Sequence, residues 1–273
     1  DTVLTLTSDK TSASTGETVT LTAILVDING NPVNGATIEF MEGNTTLYSS
    51  ITNNLGVANY SYSSSKDITI KAVFNGNVNY NSSVSSNITI NNYLFYDTCS
   101  SSTGLSNYTQ RTLESGATTA SLTYDSSMNA YKITDSGKLV FYGINALNSK
   151  DNFTLTARIF CNSNSIGLAF NNSNGTGITY GLVNNGGESY GHSYVNGTWQ
   201  GGVTGTVNGS FSSSKWYNIS LKKTGNSIVF TLTDPDNTGN NSTYTTTSST
   251  STYYGFTCYQ GTSYICNISA VSL

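Results

Sequence analysis

Charged side chains are scarce in this sequence. Only 10% of its 273 residues are Asp, Glu, Lys or Arg, against roughly 25% in a typical soluble domain. The net charge is −4, and the only adjacent basic pair is Lys222-Lys223. Nucleic-acid binding and polybasic membrane anchoring both need clustered basic residues. The lack of such a cluster argues against a nucleic-acid partner and against a basic membrane anchor.

Long hydrophobic runs are also missing. None approaches the roughly 20 apolar residues that span a bilayer as a helix, so we predict no membrane insertion by this part of the protein. The chain opens at Asp1 without a charged and then apolar leader. We therefore expect that a signal peptide has been removed or lies upstream of this fragment.

Cysteine is absent from the first third of the chain, and the four present are Cys99, Cys161, Cys258 and Cys266. No CxxC pair occurs, which argues against a zinc knuckle. An even number in a low-charge chain indicates two disulfides and an oxidising exterior; four buried thiols are the alternative. Strand alternation turns Cys161 and Cys258 inward and favours a bridge between them, with Cys99–Cys266 joining the terminal strands. A Cys258–Cys266 bridge is the main rival pairing.

Small polar and aromatic residues take the place of charge. Ser, Thr, Asn and Gly crowd every segment, and Tyr alone accounts for 19 residues. Fourteen Asn-x-Ser/Thr triplets are compatible with N-glycosylation, although many arise from the composition itself. This composition is typical of extracellular β-proteins and predicts an extracellular, cell-surface location.

The first part of the chain has the alternating pattern of β-strands. Val19, Leu21, Ala23 and Leu25 alternate with three threonines and Ile24, and Asn29-Gly30-Asn31-Pro32 follows as a turn. About seven strands in some 90 residues match the size and spacing of an immunoglobulin-like sandwich. We predict such a domain over residues 1–91.

Three segments of this part resemble one repeat of the bacterial immunoglobulin-like domains that are strung in tandem on surface proteins. They are residues 15–23 (TGETVTLTA), 35–40 (GATIEF) and 72–83 (AVFNGNVNYNSS). The resemblance implies a spacer module without cysteine, and neighbouring Ig-like repeats as partners in the full-length chain.

Residues 92–273 carry about ten further alternating segments, which predict a larger, jelly-roll β-sandwich. The segments 94–97 (LFYD), 216–232 (WYNISLKKTGNSIVFTL) and 266–269 (CNIS) resemble the laminin-G and concanavalin-like lectin superfamily. Together the two halves resemble microbial adhesin-like surface proteins. This resemblance implies an all-β protein whose second domain binds a ligand. Glycosidases of the concanavalin-like fold usually carry a Glu-x-Asp-x-x-Glu strand motif, and no such motif occurs here.

One segment of the second domain, residues 180–202, combines aromatic rings, amides and a carboxylate on a glycine-rich backbone. Sugars offer C–H faces to aromatic rings and hydroxyls to polar groups, and loops on a rigid sandwich are where binding usually occurs. The alternative is that the aromatic residues fill the edge of the core. The predicted ligand-binding residues are Tyr180, Asn184, Glu188, Tyr190, His192, Tyr194 and Trp199.

Asp234 and Asp236 begin an oxygen-rich segment, 234–241, with the spacing of a calcium loop. The segment lacks the terminal Glu of an EF-hand and any helical pattern around it. A simple hairpin turn is the alternative. Calcium is therefore the one cofactor that the sequence suggests.

The function that fits these observations is that of a cell-surface adhesin fragment. Its second domain would bind a glycan or a protein on another cell, and the Ig-like domain would act as a spacer. The alternative is a purely structural stalk or cell-envelope module without a ligand. A glycoside-active enzyme is less favoured, because glycosidases need two positioned carboxylates. A catalytic triad would have to use the single histidine, His192, whose surroundings do not resemble a nucleophile elbow. We therefore predict that the protein is not an enzyme.

Overall fold

The computed structural model describes residues 1–116, 120–135, 137–248 and 252–273. The chain divides into two compact units, Asp1–Tyr93 and Leu94–Leu273. Each unit has a hydrophobic core of its own. In the described residues, no helix is long and apolar enough to cross a membrane.

The first unit is a sandwich of two β-sheets. Its strands are β1 (Thr2–Ser8), β2 (Ser12–Ser14), β3 (Thr18–Asp27), β4 (Thr37–Glu42), β5 (Thr45–Ile51), β6 (Val57–Ser63), β7 (Ile68–Phe74), β8 (Ser83–Val84) and β9 (Ile88–Tyr93). One sheet has the order β1-β3-β6, and the other has the order β2-β9-β7-β4-β5 with β8 paired to β7.

Residue alternation forms the core of the first unit. On β3, Val19, Leu21, Ala23 and Leu25 are fully buried, while the threonines between them are more exposed. Successive side chains of a strand point to opposite faces of the sheet, so this period of two gives β3 one apolar face. Phe40 on β4 is also fully buried. The predicted immunoglobulin-like sandwich is confirmed.

The second unit is built from fifteen strands in its described residues, together with three short 3-10 helices, Ser102–Asn107, Asn145–Leu147 and Asn184–Gly186. The strands are β10 (Phe95–Asp97), β11 (Tyr108–Thr112), β12 (Ala120–Asp125), β13 (Ala130–Asp135), β14 (Val140–Ile144), β15 (Phe153–Phe160), β16 (Ser163–Asn171), β17 (Gly177–Val183), β18 (Glu188–Val195), β19 (Thr198–Val203), β20 (Thr206–Asn208), β21 (Trp216–Thr224), β22 (Ser227–Thr233), β23 (Asn241–Thr247) and β24 (Tyr253–Ser272).

The last strand, β24, runs through both halves of this unit. Its first half pairs with β16 and β14, and its second half pairs with β15, β13 and β10. We call β19-β18-β17-β16 with the first half of β24, β14 and β11 half-sheet A. Half-sheet B contains the second half of β24 with β10, β13 and β12 on one side and β15-β21-β22-β23-β20 on the other. One continuous sheet thus curls over on itself.

Aromatic side chains fill the space between the two half-sheets. Tyr254 of half-sheet A meets Phe153 of half-sheet B edge to face, with 4.8 Å between ring centroids. Phe230 of half-sheet B lies 6.2 Å from Phe170 and 5.8 Å from Tyr180 by the same measure. Offset and edge-to-face contacts of this kind are favourable beyond the burial of apolar area. The predicted jelly-roll sandwich is confirmed, and the whole fold is all-β.

The structure does not contain the predicted disulfides: all four cysteines are free, and all four are buried. Cys161 and Cys258 instead contact one serine: the thiol of Cys161 lies 3.3 Å from the carbonyl oxygen of Ser163, and the thiol of Cys258 lies 3.6 Å from its hydroxyl. The Cys99 thiol lies 3.7 Å from the carbonyl oxygen of Asp97. These sulfurs are therefore accommodated as weak hydrogen-bond donors in the core. The structure therefore agrees with the alternative prediction, four buried thiols.

Candidate functional site

Strand β18 presents three predicted residues on one face. Tyr190, His192 and Tyr194 alternate with Gly191 and Ser193, and the neighbouring strand β17 places small residues opposite two of them. Gly191 pairs with Tyr180, whose ring is buried in the core. The three side chains therefore point to the outer face of half-sheet A.

Part of this outer face is covered by the segment 113–116, which follows β11. Ser115 donates its amide to the carbonyl of Gly197 at 2.8 Å, and Lys138 donates to the carbonyl of Ser115 at 2.6 Å. Beneath the segment lies a second, small apolar cluster that contains the buried residues Leu113, Leu139, Phe141, Ala169 and Tyr194. The cover is thus fixed by both hydrogen bonds and burial of apolar side chains.

A recess of about 350 Å³ remains beside this cover. We call it the Trp199 recess. It is lined by Glu114, Leu139, His192, Tyr194, Trp199 and Tyr259. Trp199 is 57% exposed, whereas Tyr194 is only 5% exposed. An accessible aromatic face therefore lies next to a set of polar groups that are held inside the recess.

The polar group best defined by its contacts is the His192 imidazole. The indole Nε1 of Trp199 donates to Nδ1 of His192 at 3.2 Å. Because an indole N–H can only donate, Nδ1 must be unprotonated and the neutral ring carries its proton on Nε2. Burial lowers the pKa of His192, and Glu114 opposes this shift more weakly. Both observations describe a neutral imidazole that can donate one hydrogen bond from Nε2.

Glu114 and the tyrosines supply the remaining polar groups. The Glu114 carboxylate accepts the amide of Leu139 at 2.9 Å. Burial raises the pKa of Tyr194 well above its usual value, and the negative charge of Glu114 adds to this shift, as does the nearby phenol of Tyr259. The phenol therefore stays protonated at neutral pH. The recess combines a fixed acceptor, neutral donors and an exposed ring.

The structure brings three of the seven predicted ligand-binding residues into this recess: His192, Tyr194 and Trp199. Tyr190 lies beside them, with its ring 5.4 Å from the His192 ring in an edge-on arrangement. Asn184 and Glu188 lie outside the recess at an exposed turn, where the Asn184 amide donates to the Glu188 carboxylate at 2.7 Å.

Tyr180 is placed differently from the prediction. It is fully buried, its ring stacks 5.3 Å from that of Tyr244, and its hydroxyl bonds to Ser242 across the sandwich. Residue 180 has the parity of the inward-facing Ile178 and Leu182, which is why its ring enters the core. It cannot contact a ligand in the Trp199 recess.

Sequence reasoning missed three lining residues: Glu114, Leu139 and Tyr259. They come from three segments far apart in the chain. Only the pairing of β14 with β24, and the return of the 113–116 segment over the sheet, bring them to β18. No local pattern marks them as binding residues.

The predicted calcium loop contains a cation of its own. The ammonium of Lys215 lies 2.7 Å from a carboxylate oxygen of Asp234 and 3.0 Å from one of Asp236. The Asp234 carboxylate also accepts the amide of Asp236 at 2.9 Å. A calcium ion at these carboxylates would compete with the Lys215 ammonium for the same oxygen atoms. Calcium binding by Asp234 and Asp236 stays a prediction. In the described ranges, no group of three or more His, Cys, Asp or Glu residues is placed to hold a metal ion.

Comparison with known proteins assigns the first unit. Residues 6–91 match the family model of the bacterial Ig-like domain (group 3). The first unit is thus a bacterial Ig-like domain of this group, as the sequence resemblance implied. No curated protein matches the sequence.

Three solved structures show a distant likeness to this chain. A GH43 protein, BlXynB from Bacillus licheniformis, is 7% identical with a TM-score of 0.48, over 100% of this chain and 63% of that chain. A sialidase is 9% identical with a TM-score of 0.40, over 98% and 32%. An alginate lyase, A1-II′, is 13% identical with a TM-score of 0.36, over 62% and 96%. The chain spans less than two thirds of the first two proteins, and such distant likeness says nothing about its activity.

Proposed function

We propose that the second unit is a carbohydrate-binding module and that the Trp199 recess is its binding site. The observation that carries this proposal is the exposed Trp199 indole at the mouth of a polar recess. Amphipathic aromatic rings suit ligands that combine apolar faces with hydrogen-bonding groups. The C–H face of a pyranose can stack on the indole while its hydroxyls reach the polar groups behind.

The polar groups select a neutral sugar. The Glu114 carboxylate accepts hydrogen bonds from sugar hydroxyls, and Nε2–H of His192 donates to a hydroxyl oxygen. An anionic sugar would meet the negative charge of Glu114 in a partly buried site, where repulsion is poorly screened. We therefore propose neutral oligosaccharides as the ligand class for this recess.

The biological setting belongs to the same proposal. A ligand-binding module next to a bacterial Ig-like domain fits an extracellular protein of the cell surface that acts as an adhesin. Its partners would be a glycan or glycosylated protein on another cell and, along the chain, further Ig-like repeats. The Asn-x-Ser/Thr triplets of the sequence remain candidates for N-glycosylation.

We propose binding without turnover. Glycosidases position two carboxyl groups around the bond that is cleaved, and Glu114 is the one carboxylate among the lining residues of the recess. Incubation with a bound oligosaccharide should leave it intact by chromatography. Release of shorter products by the wild-type chain, and not by its Glu114→Gln variant, would contradict this part of the proposal.

The binding proposal is tested on the intact chain with an array of neutral glycans, followed by calorimetry on the best ligand. Trp199→Ala should weaken binding at least tenfold, because it removes the stacking face. The matched control is Tyr48→Ala, which deletes an aromatic side chain of 48% exposure in the other unit and should leave affinity unchanged. Wild-type protein that binds no neutral glycan would favour the alternative of a structural stalk module.

A further inference from the structure

The outer face of half-sheet B carries a second polar surface, on the opposite side of the sandwich from the Trp199 recess. On β15, Arg158 pairs with Asn218 of β21, which pairs in turn with Thr233 of β22. Two residues along, Ser220 of β21 pairs with Thr231 of β22. Directly paired residues point to the same face of a sheet. We call this surface the Arg158 face.

The Arg158 face is concave at its centre. A cavity of about 320 Å³ is lined there by Arg158, Asn218, Ser220, Thr231, Thr233 and Asn267, with Thr156, Ala157 and Ile219 completing the wall. The polar side chains are hydroxyls and amides apart from one guanidinium. Such a lining offers many hydrogen bonds to a hydroxylated ligand and a single strong positive charge.

Three aromatic rings lie on the same outer face, next to Arg158 and outside the lining of the cavity. Phe160 lies 5.5 Å from Trp216 and 6.0 Å from Tyr264 between ring centroids, so the row crosses three adjacent strands. The guanidinium carbon of Arg158 lies 5.4 Å from the centroid of the Trp216 ring. This cation–π contact holds the guanidinium in place beside the cavity. The cation is thus oriented before a ligand arrives.

The charge of the face is positive in a chain whose net charge is −4. Arg158 makes no ion pair and no side-chain hydrogen bond with the described residues, whose ion pairs involve Lys10, Lys66, Lys215 and Lys223. Lys222 also points to this face, opposite Thr154 and Val229, and is likewise outside those ion pairs. No carboxylate lines the cavity.

Lys132 extends the positive face along the aromatic row, because it pairs with Tyr264. Its charge is partly offset by Asp125 on the edge strand β12. The hydrogen bond from Ser127 is the main cause that lowers the pKa of Asp125, and Lys132 adds a small contribution. Arg158 and Lys222 have no such neighbour on β15, β21 or β22. The positive charge is therefore concentrated at the cavity and not at the edge.

We propose that the Arg158 face binds a carboxylate-bearing polysaccharide, a chain that contains uronate residues. The planar guanidinium can hold a sugar carboxylate through two parallel hydrogen bonds. Hydroxyl and amide groups of the cavity bind the sugar hydroxyls, and the exposed parts of the aromatic row contact its C–H groups. Lys222 lies four residues along β21 from Asn218, the partner of Arg158, and attracts a carboxylate further along the chain. The site is separate from the Trp199 recess, and it prefers an anionic sugar where the recess prefers a neutral one.

The probe is oligogalacturonate, with its methyl ester as the neutral counterpart of the same size, measured by calorimetry on the intact chain at low ionic strength. Asn218 and Asn267 are each the first residue of an Asn-x-Ser triplet, so the protein is made in a host without N-glycosylation. The wild type should bind the acid and not the ester. Arg158→Gln should weaken binding about tenfold or more, because a hydrogen bond to a charged group is lost.

Two control variants test whether binding is specific to the Arg158 face. Lys150→Gln makes the same change of net charge at an exposed position outside the face and should leave affinity within about twofold. Trp199→Ala should also leave it unchanged, whatever becomes of neutral-glycan binding. The proposal is overturned if the acid and its ester bind equally, if neither binds, if Lys150→Gln weakens binding as much as Arg158→Gln, or if only a sulfated glycan binds.

Discussion

The neutral His192 ring makes the Trp199 recess sensitive to acid. Its Nδ1 accepts the indole N–H of Trp199 at 3.2 Å, and a protonated imidazole has no free lone pair to do so. Burial lowers the pKa of His192 below the usual value of 6.5. The unfolded chain therefore binds a proton at a higher pH than the folded one. The neutral ring contributes fully to the stability of the folded chain above pH 6.5, and this contribution is lost as the pH falls through the lowered pKa of the folded state.

We expect Trp199 fluorescence to titrate with a midpoint below the 6.5 of an unperturbed histidine, because protonation breaks the hydrogen bond. The measurement is made in a Trp216→Phe background, where Trp199 is the only indole. His192→Asn keeps an acceptor without a titrating group and should abolish the transition. A midpoint above 6.5, or an unchanged curve in the Asn variant, would contradict the assignment.

At the same scale, alternation explains which site residues the sequence could identify. Tyr190, His192 and Tyr194 share a parity on β18, so the sequence groups them correctly as neighbours. Tyr180 lies in the same segment, yet its parity with Leu182 marks it as inward-facing. Glu114 could not be found, because its position depends on the fold of a segment 78 residues before His192 in the sequence.

Between strands, glycine permits the close packing of half-sheet A. Gly255 of β24 pairs with Gly143 of β14, and a Cβ at residue 255 would meet the carbonyl oxygen of Tyr142. We expect Gly255→Ala to destabilise the second unit by about 1–3 kcal/mol, because backbone atoms must move to admit the methyl group. Urea unfolding followed by circular dichroism measures the change.

Gly137→Ala is the matched control for this substitution. Its Cβ would meet nothing within 4 Å, and its backbone is not left-handed, so its effect should stay within about 0.5 kcal/mol. Equal stability of the two variants would show that the strand contact at Gly255 is not as close as described.

The buried thiols belong to the elements around β24. Burial raises the pKa of Cys258 to about 12 and that of Cys266 to about 11, and it also raises the pKa values of Cys99 and Cys161. Because the thiolate is the reactive form, we expect an aromatic disulfide reagent at neutral pH to modify none of the four cysteines in the folded protein. After unfolding in guanidinium, all four should react.

Prior reduction is the control for the thiol count. Protein that has been reduced and desalted should give the same four thiols in denaturant as protein that has not. A lower count before reduction would mean that bridges form in the molecule. The register makes Cys99–Cys266 the pair to examine then, because extending the β10–β24 ladder by two residues places them opposite each other.

Strand patterns predicted most elements, but they did not predict how long the last one is. The hairpin of β21 and β22 around Gly225-Asn226 follows from its alternating residues and its turn. The apolar residues of the sequence suggest two separate strands near residues 254–258 and 265–268. The structure has one strand, Tyr253–Ser272, in which Gln260 and Gly261 adopt positive φ angles of 46° and 131°. Hydrogen bonds to neighbouring strands on both sides keep the strand continuous. No local sequence pattern predicts this pairing.

For the whole molecule, the separate cores predict two independently folding units. The boundary between the units falls between Tyr93 and Leu94. Each unit has its own hydrophobic core and its own β-sheets. We expect fragments 1–93 and 94–273 to give β-type circular dichroism and cooperative thermal unfolding when expressed alone. A fragment that is unfolded alone, but folds when the other is added, would contradict this expectation.

Composition and alternation were sufficient for the global fold because they report which faces are buried. They could not locate the ligand site, because a site on the outer face of a sheet is formed by residues that pairing brings together from 114 to 259. The Arg158 face illustrates the same limit: Arg158, Asn218 and Asn267 become neighbours only through β15, β21 and β24.

The most direct test of the central claim is a nuclear magnetic resonance titration of the labelled 94–273 fragment, or of the full chain, with the best neutral oligosaccharide. The indole N–H signal of Trp199 and the ring signals of His192 should shift in parallel with saturation, while the indole signal of Trp216 on the opposite face stays in place. Saturable binding that shifts Trp216 and leaves Trp199 and His192 unperturbed would contradict the assignment of the recess as the carbohydrate site.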